Sequence, residues 1–394
     1  MTPAARTQAA IELLDAIIAS ARDGGAAADT LIARYFARRR YAGSKDRRAV
    51  RALVYDAIRL LGERPISGRA AMLALADTRP DIAAHFGGEG HAPSAIEPGE
   101  PRARTGLVPK WLGRMLTATG IDRPQQAALL DRAPLDIRVN TLRADVATVR
   151  AAFPEAEPIA GLSNGLRLPP DSSIERHELF ETGAIEVQDA GSQLVSLASG
   201  ARPGMTVIDL CAGGGGKTLA LAAMMENRGR IVASDVDRGR LSRLPARAER
   251  AGVTIAETLL LDGGREAESL ERFVGSADLV LIDAPCSGTG TWRRNPEARW
   301  RLNPDRLARL TATQSRLLDL GSRCVKPGGM LVHIVCSLLD AEGSDQVQAF
   351  LARHPGWTVA EIDAAIGSPH GPGRRLTPAT HSTDGFFVAM MRAP

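Results

Sequence analysis

The stretch D-L-C-A-G-G-G-G-K-T, residues 209–218, decides the fold of this chain of 394 residues. It overlaps the apolar run M-T-V-I-D-L-C at 205–211, and the pattern predicts a strand that passes through a glycine-rich turn into a helix. Such a turn allows backbone N–H groups to approach a ligand closely. The stretch therefore predicts a ligand-binding site at the carboxyl end of this strand.

Strands and helices alternate from about Gln188 to the end of the chain. The clearest helix is predicted at 305–320, and further strands are predicted at 230–236, 257–262, 277–284, 329–336 and 385–391. Near-continuous apolar strands that alternate with helices are typical of a parallel sheet covered on both faces. The predicted fold class is therefore α/β, with a Rossmann-like sheet in residues 188–394.

The chain before residue 188 changes composition twice. Helical spacing of apolar residues predicts an all-helical domain first, and a Gly- and Pro-rich linker follows it. Beyond the linker, a helical stretch (109–133) precedes a small α/β subdomain with strands at D-I-R-V-N and G-L-R-L. The predicted domains are 1–85 (helical), 86–105 (linker), 106–187 (helical stretch and small α/β subdomain) and 188–394 (Rossmann-like).

The overall composition is that of an ordinary globular protein, with 44% hydrophobic and 24% charged residues. No run of eighteen apolar residues occurs, and Glu12 and Asp15 interrupt the N-terminal apolar segment, so we expect a cytoplasmic protein without a membrane span. Four dispersed cysteines without a C-x-x-C pair, and seven unclustered histidines, predict no metal. We also expect a monomer.

Two segments are candidate nucleic-acid contacts because they cluster arginine. The segment from Arg34 to Arg59 contains nine basic residues and only two acidic ones. The segment W-R-R-N-P-E-A-R-W-R at 292–301 interleaves two Trp with four Arg. Arginines neutralise phosphates and Trp rings stack on bases. A solvated helical face, and a loop whose Trp side chains pack on the domain, are the alternatives. The candidate residues are Arg38, Arg39, Arg40, Arg47, Arg48, Trp292, Arg293, Arg294 and Arg299.

The glycine-rich turn narrows the choice of ligand. A triphosphate-binding loop requires glycine where this chain has Cys211, and G-x-G-x-x-G fails because its third glycine would fall on Thr218 or Leu219. S-adenosylmethionine, an adenosine without phosphate, is the remaining interpretation. The residues predicted to hold it through the loop are Cys211, Ala212, Gly213, Gly214, Gly215, Gly216 and Lys217.

Two aspartates support the same ligand. Asp235, 18 residues beyond Lys217, ends the second strand, where an acid accepts hydrogen bonds from ribose hydroxyls. Asp262 ends the third strand and is a candidate for the adenine amino group. Each could instead be a turn or capping residue, but three such features on consecutive strand ends favour S-adenosylmethionine.

Cysteines at two later strand ends suggest the reaction. Cys286 and Cys336 could face the same crevice, whereas Cys324 is expected in the core and Cys211 in the loop backbone. A thiolate that adds to carbon 6 of a pyrimidine makes carbon 5 nucleophilic enough to attack a sulfonium methyl group. Asp283 is placed to polarise the base at N3 and its exocyclic amine. A base must then remove the carbon 5 proton.

These motifs resemble those of the Sun/RsmB family of RNA cytosine-5 methyltransferases. The likeness is carried by the glycine-rich stretch, by D-A-P-C-S-G-T-G at 283–290 and by H-I-V-C-S-L-L at 333–339. Further resembling segments are R-R-N-P-E-A-R-W, E-V-Q-D-A-G-S-Q and T-D-G-F-F-V-A. The segment S-K-D-R-R-A-V-R-A-L-V-Y-D-A-I-R is similar to the NusB-like helical domain of the ribosomal RNA members.

The resemblance implies methyl transfer from S-adenosylmethionine to carbon 5 of a cytosine in 16S ribosomal RNA. It implies that Cys336 is the nucleophile, that Cys286 assists product release, and that Asp283 also contacts the cofactor. Val335 stands where the family usually has Thr. A tRNA cytosine-5 methyltransferase and a non-catalytic RNA-binding ribosome-assembly factor remain alternatives, while Cys211 disfavours a nucleotide hydrolase.

Overall fold

The structure is a computed structural model that describes residues 1–169 and 172–394. Its contacts divide the chain into two compact units. The helical unit comprises Met1–Asp131 and Thr291–Pro304, and the α/β unit comprises Arg132–Gly290 and Asp305–Pro394. No helix in the described part of the chain combines the length and apolar content needed to cross a membrane.

The helical unit has helices in both of the segments where apolar spacing predicts them, 1–85 and 109–133. They are α1 (Pro3–Asp23), α2 (Ala28–Ala37), α3 (Ser44–Leu60), α4 (Gly68–Ala76), α5 (Pro80–Ala83), α6 (Lys110–Ala118) and α7 (Arg123–Ala128), with a 3₁₀ helix at Pro296–Arg301. Helix α1 begins where the Thr2 side chain accepts from Ala5 N, and it ends at Gly24 with φ +72°. Close packing of α4 on α1 requires Gly68, because a Cβ there would lie 2.2 Å from the carbonyl oxygen of Ile11.

The Gly- and Pro-rich segment 86–105 packs against the helical unit. Arg69 of α4 donates to the carbonyl oxygens of Ser94 and Ala95 and to the Glu100 carboxylate, and Ala103 N donates to Ala70 O. These hydrogen bonds hold the segment against the surface of the helical unit. Contacts group residues 106–131 with the helical unit, whereas the sequence grouped them with the small α/β subdomain; the domain boundaries themselves stay a prediction.

In the part of the chain that the structure describes, the α/β unit contains two sheets. Its strands are β1 (Leu135–Val139), β2 (Glu157–Pro158), β3 (Gly165–Leu168), β4 (Ile185–Val187), β5 (Thr206–Asp209), β6 (Arg230–Asp235), β7 (Ala256–Leu260), β8 (Ala277–Asp283), β9 (Val325–Val335), β10 (Thr358–Ala360), β11 (Ser368–His370), β12 (Gly373–Leu376) and β13 (Phe386–Arg392). Strands β2-β3-β1-β4 form a small antiparallel sheet in that order, and β1 and β3 fall on the predicted strands D-I-R-V-N and G-L-R-L.

Helices surround these sheets. They are α8 (Val146–Ala152), α9 (Glu178–Glu181), α10 (Ala190–Ala198), α11 (Gly216–Met224), α12 (Arg238–Leu241), α13 (Leu244–Ala251), α14 (Glu266–Ser269), α15 (Pro304–Cys324), α16 (Ser344–Arg353) and α17 (Pro378–His381). Further 3₁₀ helices lie at Glu271–Phe273, Thr289–Thr291 and Asp340–Glu342. The predicted helix at 305–320 corresponds to α15.

The main sheet has the order β11-β12-β13-β9-β8-β5-β6-β7, and β10 pairs with β13. Strands β7, β6, β5, β8 and β9 are parallel, and the antiparallel β13 extends the sheet beyond β9. Successive residues of β5 enter different hydrophobic clusters, Val207 on one face and Ile208 on the other, so both faces are covered. The α/β fold class is confirmed. The strand order reverses at β5, where open sheets of this kind bind ligands.

Candidate active site

The loop between β5 and α11 requires glycine at two of its three glycine positions. Gly213 has φ +55° and Gly215 has φ +85°, a region that side chains rarely adopt. A Cβ on Gly215 would lie 2.1 Å from Cδ1 of Leu244, and one on Gly213 would lie 2.3 Å from Nη2 of Arg240. The sequence predicted a loop of this type, and its shape is fixed by these two residues.

Asp235, the predicted ribose ligand, is 6% exposed at the end of β6 and anchors the glycine loop. Its Oδ2 accepts from Gly213 N at 2.8 Å, and its Oδ1 accepts from Asp237 N at 2.8 Å. Asp262 lies two residues beyond β7, with a 67% exposed side chain 3.9 Å from Arg265. The contacts of both aspartates with a nucleoside stay predictions.

The side chain of Lys217 connects the glycine loop to Asp283, the first residue of the motif that contains Cys286. Its Nζ donates to Oδ2 of Asp283 at 2.7 Å and lies 5.6 Å from the ring centroid of Phe386. Burial alone lowers the pKa of this ammonium, but the attraction of Asp283, followed by that of Cys336 and Asp209, raises it overall. Lys217 therefore remains a cation beside the predicted base-polarising carboxylate. The sequence placed Lys217 with the cofactor loop and missed this ion pair.

Asp209 lies under the same loop at the end of β5 and is 0% exposed. Burial raises the pKa of its carboxyl to about 7, although the hydrogen bond from Thr218 Oγ1, 2.7 Å from Oδ2, opposes this shift. Burial likewise raises the pKa of the Cys211 thiol. Asp209 is thus packed beneath the loop, whereas the partly exposed Cys211 lies within it.

Two cysteine thiols meet at the carboxyl ends of β8 and β9. Strands β8 and β9 are parallel neighbours, with Asp283 opposite Ile334, so the residues that follow each strand lie side by side. The Sγ atoms of Cys286 and Cys336 are 3.4 Å apart, and both residues are partly exposed. The hydrogen bond with Cys336, and then burial, raises the pKa of the Cys286 thiol. Cys286 is therefore held as a protonated thiol beside Cys336.

Cys324, which the sequence assigned to the core, is 1% exposed among the apolar residues under β8 and β9. A residue that the sequence did not identify, Glu342, is 0% exposed and bonds to the residues that follow both site cysteines. The glutamate in L-L-D-A-E-G belongs to no motif that would predict these hydrogen bonds. Its partners are brought to Glu342 only by the sheet.

The N-terminal arginine cluster lies on the surface of the helical unit. Arg38, Arg40, Arg47 and Arg48 are exposed. Arg39 is half-buried; its guanidinium lies 3.7 Å from the ring centroid of Tyr35. Their RNA contacts stay a prediction that this exposure permits.

The second predicted RNA-binding segment requires correction. Trp292 and Arg299 are 0% exposed, and Arg293 is 6% exposed, so a base or phosphate has no access to these side chains. Nη2 of Arg299 donates to Ile58 O at 2.6 Å and to Leu61 O at 2.7 Å, and burial lowers its pKa to about 9. The expectation of RNA contact is wrong for these three residues, and the packing alternative holds. The half-buried Arg294 stays a candidate.

The α/β unit has the fold of a Rossmann-like methyltransferase. The family described as "16S rRNA methyltransferase RsmB/F" matches residues 197–392. A probable ribosomal RNA small subunit methyltransferase B from Synechocystis is 33% identical over 299 residues, which cover 72% of this chain and 66% of that protein. A ribosomal RNA small subunit methyltransferase B from Xylella fastidiosa is 34% identical over 295 residues, covering 72% and 68%.

The crystal structure of the protein PH0851 is similar over nearly the full length. It superposes with a TM-score of 0.77 and 26% identity, covering 99% of each chain. The chain thus belongs to the RsmB/F family of 16S rRNA methyltransferases, which confirms the resemblance seen in the sequence. The aligned segments span about two thirds of the lengths of the two relatives.

Proposed function

We propose that this protein methylates carbon 5 of a cytosine in 16S ribosomal RNA, with S-adenosylmethionine as the methyl donor. The observation that carries the proposal is the pair of thiols 3.4 Å apart, next to a carboxylate that a lysine holds. One thiol can bond to carbon 6 of a pyrimidine while the other lies beside the adjacent carbon 5. Covalent activation of this kind replaces one difficult step by easier ones.

The glycine loop suits a ligand that is bound by backbone N–H groups. Helix α11 has no side-chain cap at its N-terminus, and the space above Gly216 is open, since a Cβ there would meet no atom within 4 Å. We assign residues 211–217 with Asp235, Asp262 and Asp283 to the cofactor. S-adenosylmethionine supplies an electrophilic methyl group when bound.

The site residues divide the remaining work. The Cys336 thiolate adds to carbon 6 of the cytosine, and the new bond makes carbon 5 a nucleophile. Lys217 holds Oδ2 of Asp283, and we assign Oδ1 to accept from the exocyclic amine of the base, or from N3 once N3 is protonated. After methyl transfer the carbon 5 proton must leave, and the C6–S bond must break. We assign this release to Cys286: with Cys336 bound to carbon 6, the hydrogen bond that keeps the Cys286 thiol protonated is lost. The Cys286 thiol then loses its proton to solvent, its thiolate accepts the carbon 5 proton, and the electron pair of the C6–S bond returns to Cys336.

The exposed arginines of the helical unit support RNA as the partner, because they can neutralise phosphates without burying charge. The target cytosine must leave its stack to reach Cys336. A single-stranded or loop region of the RNA fits this requirement.

Bisulfite sequencing of total RNA, with and without the gene, tests the function. We expect one 16S cytosine to lose its methyl group in the deletion strain and to regain it with the wild-type gene, but not with Cys336→Ala. A lost tRNA methylation would instead identify the tRNA alternative. Unchanged methylation in all RNA would support the non-catalytic assembly factor and contradict the proposal.

A further inference from the structure

Two loops hold the thiols of the site, and one buried carboxylate lies between them. The first cysteine loop, residues 284–290, follows β8 and contains Cys286. The second cysteine loop, residues 336–343, follows β9 and contains Cys336. Glu342 belongs to the second loop and is 0% exposed. A buried carboxylate must be hydrogen-bonded to be tolerated.

The Glu342 carboxylate accepts hydrogen bonds from both loops and from α15. Its Oε1 accepts from Ser287 N at 2.8 Å and from Gln314 Nε2 at 3.1 Å. Its Oε2 accepts from Ser337 Oγ at 2.6 Å and from Ser287 Oγ. Ser287 and Ser337 each directly follow a site cysteine, so the carboxylate ties the residues next to both thiols to one point.

The network extends to the backbone of both loops. Thr289 Oγ1 lies 3.1 Å from Ser337 Oγ and accepts from Leu338 N at 2.8 Å. Gln314 also donates to the carbonyl oxygen of Pro285. A backbone–backbone bond, from Gly290 N to Cys336 O at 3.0 Å, also joins the loops independently of the carboxylate. The contribution of Glu342 must therefore be separated from that of the backbone.

We propose that Glu342 is a positioning residue that sets the separation of the Cys286 and Cys336 thiols, and thereby the release of methylated RNA. The release part rests on the proposed function; the thiol separation does not. Each oxygen of the Glu342 carboxylate accepts two hydrogen bonds, so the carboxylate fixes the positions of the groups that donate to it. A displacement of about 1 Å at reacting groups can cost roughly 100-fold in rate.

Glu342→Gln tests the proposal with little change of volume. An amide has one acceptor oxygen, whereas the four donors here use both oxygens of a carboxylate. The amide nitrogen would face donors, and the two loops would separate. Glu266→Gln is the matched control, because Glu266 is also buried in the α/β unit, at 5% exposure, but pairs with Arg316 at 2.8 Å.

Phenylarsine oxide probes the thiol separation without RNA or cofactor. Its arsenic atom forms two As–S bonds to a dithiol, the two thiol protons and the oxide leaving as water, so its affinity reports how well the two sulfurs are placed. We expect tight binding by the wild-type full-length protein, lost in Cys286→Ala and Cys336→Ala. Glu342→Gln should bind at least about tenfold more weakly, while Glu266→Gln stays within about twofold.

Turnover supplies the second measurement. With RNA and S-adenosylmethionine, Glu342→Gln should accumulate a covalent protein–RNA adduct as Cys286→Ala does, and Glu266→Gln should not. Ser337→Ala removes one of the four hydrogen bonds to the carboxylate, and it should weaken arsenical binding, but less than Glu342→Gln does. If Glu342→Gln does not fold, Ser337→Ala still tests the proposal. Wild-type arsenical affinity in Glu342→Gln or, where it does not fold, in Ser337→Ala overturns the proposal.

The two measurements separate the proposals. If Cys286→Ala forms no adduct with RNA while Glu342→Gln still weakens arsenical binding, the assigned release step fails and the positioning of the thiols stands. If Cys286→Ala traps RNA and Glu342→Gln matches wild type in both measurements, the methyltransferase mechanism stands and the role of Glu342 fails.

Discussion

Sγ of Cys286 and Sγ of Cys336 lie 3.4 Å apart, although the residues are 50 positions apart in the chain. The contact follows from sheet order, since β8 and β9 are parallel neighbours that end at the same edge. Both thiols can therefore address one pyrimidine ring, and only their chemistry distinguishes them. The hydrogen bond between them raises the pKa of the Cys286 thiol, and the choice of Cys336 as the nucleophile stays a prediction from the family resemblance.

Substitution of each cysteine should give different outcomes. Cys336→Ala should abolish methyl transfer, because no thiolate activates the base. Cys286→Ala should still transfer a methyl group but retain the RNA as a covalent adduct, visible as a shifted band on a denaturing gel. Cys324→Ala, a buried thiol away from the site, is the control and should form no adduct. Methylation by Cys336→Ala together with an inactive Cys286→Ala would exchange the two roles.

Lys217→Met should separate catalysis from cofactor binding. The variant removes the cation 2.7 Å from Asp283, so methyl transfer should fall by about 100-fold, the scale of losing one electrostatic stabiliser in an active site. The dissociation constant for S-adenosylmethionine, measured by titration calorimetry, should change far less. Lys326→Met breaks an exposed ion pair with Asp278 in the same unit and serves as the control. Lys217→Met keeps the backbone N–H that we assign to the cofactor, so equal losses in rate and affinity would show that the Lys217 side chain also binds the cofactor.

Gly215→Ala should destabilise the α/β unit by about 2 kcal/mol or more, because φ +85° disfavours a side chain and the Cβ meets Leu244. Gly216→Ala is a matched comparison one residue later, where the space is open. Its unfolding free energy in urea should stay within about 0.5 kcal/mol of wild type. Similar urea curves for the two variants would show that the loop tolerates a side chain at Gly215.

The sequence predicted strands best where a continuous apolar run ends in a residue type that suits ligand binding. Apolar runs that end in glycine or acid correctly predicted β5, β6 and β8, because buried parallel strands are continuous in sequence. The hairpin of β11 and β12 was missed, since its strands are short and carry charged residues such as Arg374 and Arg375. Its pairing is set by the neighbouring β13 and is absent from local periodicity.

Side-chain partners were the least predictable part of the site. Asp235 and Cys336 could be proposed because their types suit a known chemistry at strand ends. Glu342 could not, since its donors come from positions far apart in the chain. The RNA contact predicted for Arg299 was wrong for a related reason. An arginine between tryptophans suggests nucleic acid, and only the folded helical unit supplies the carbonyl oxygens that bind its guanidinium.

Arg299→Met should therefore act on stability and leave RNA binding unchanged. The change leaves the carbonyl oxygens of Ile58, Leu61 and Pro296 without this donor, so the helical unit should lose roughly 3 kcal/mol in urea unfolding. The exposed Arg48→Met should show the opposite pattern: stability within about 0.5 kcal/mol, and a salt slope of RNA binding reduced by about 1. An Arg299 variant with wild-type stability and weakened RNA binding would restore the sequence prediction.

His333 should make the α/β unit sensitive to acid. The residue is 0% exposed in β9; burial lowers its pKa to about 4, while the bond of Nε2 to Glu342 O and the charge of Asp283 oppose the shift. In the unfolded chain its pKa is about 6.5. Between these values the unfolded state binds a proton that the folded state does not, so the stability of the unit falls as pH drops from 6.5 to 4, by up to roughly 3 kcal/mol.

The difference between wild type and His333→Gln isolates this residue from the carboxyl groups that titrate in the same range. The glutamine side chain of the variant cannot take up a proton, and its amide can still reach Glu342 O. The variant should be less stable at pH 7, and the stability gap should narrow as the pH falls to 4. Urea unfolding at half-unit pH intervals measures the gap, and a gap that stays constant across this range would show that His333 does not couple folding to protons.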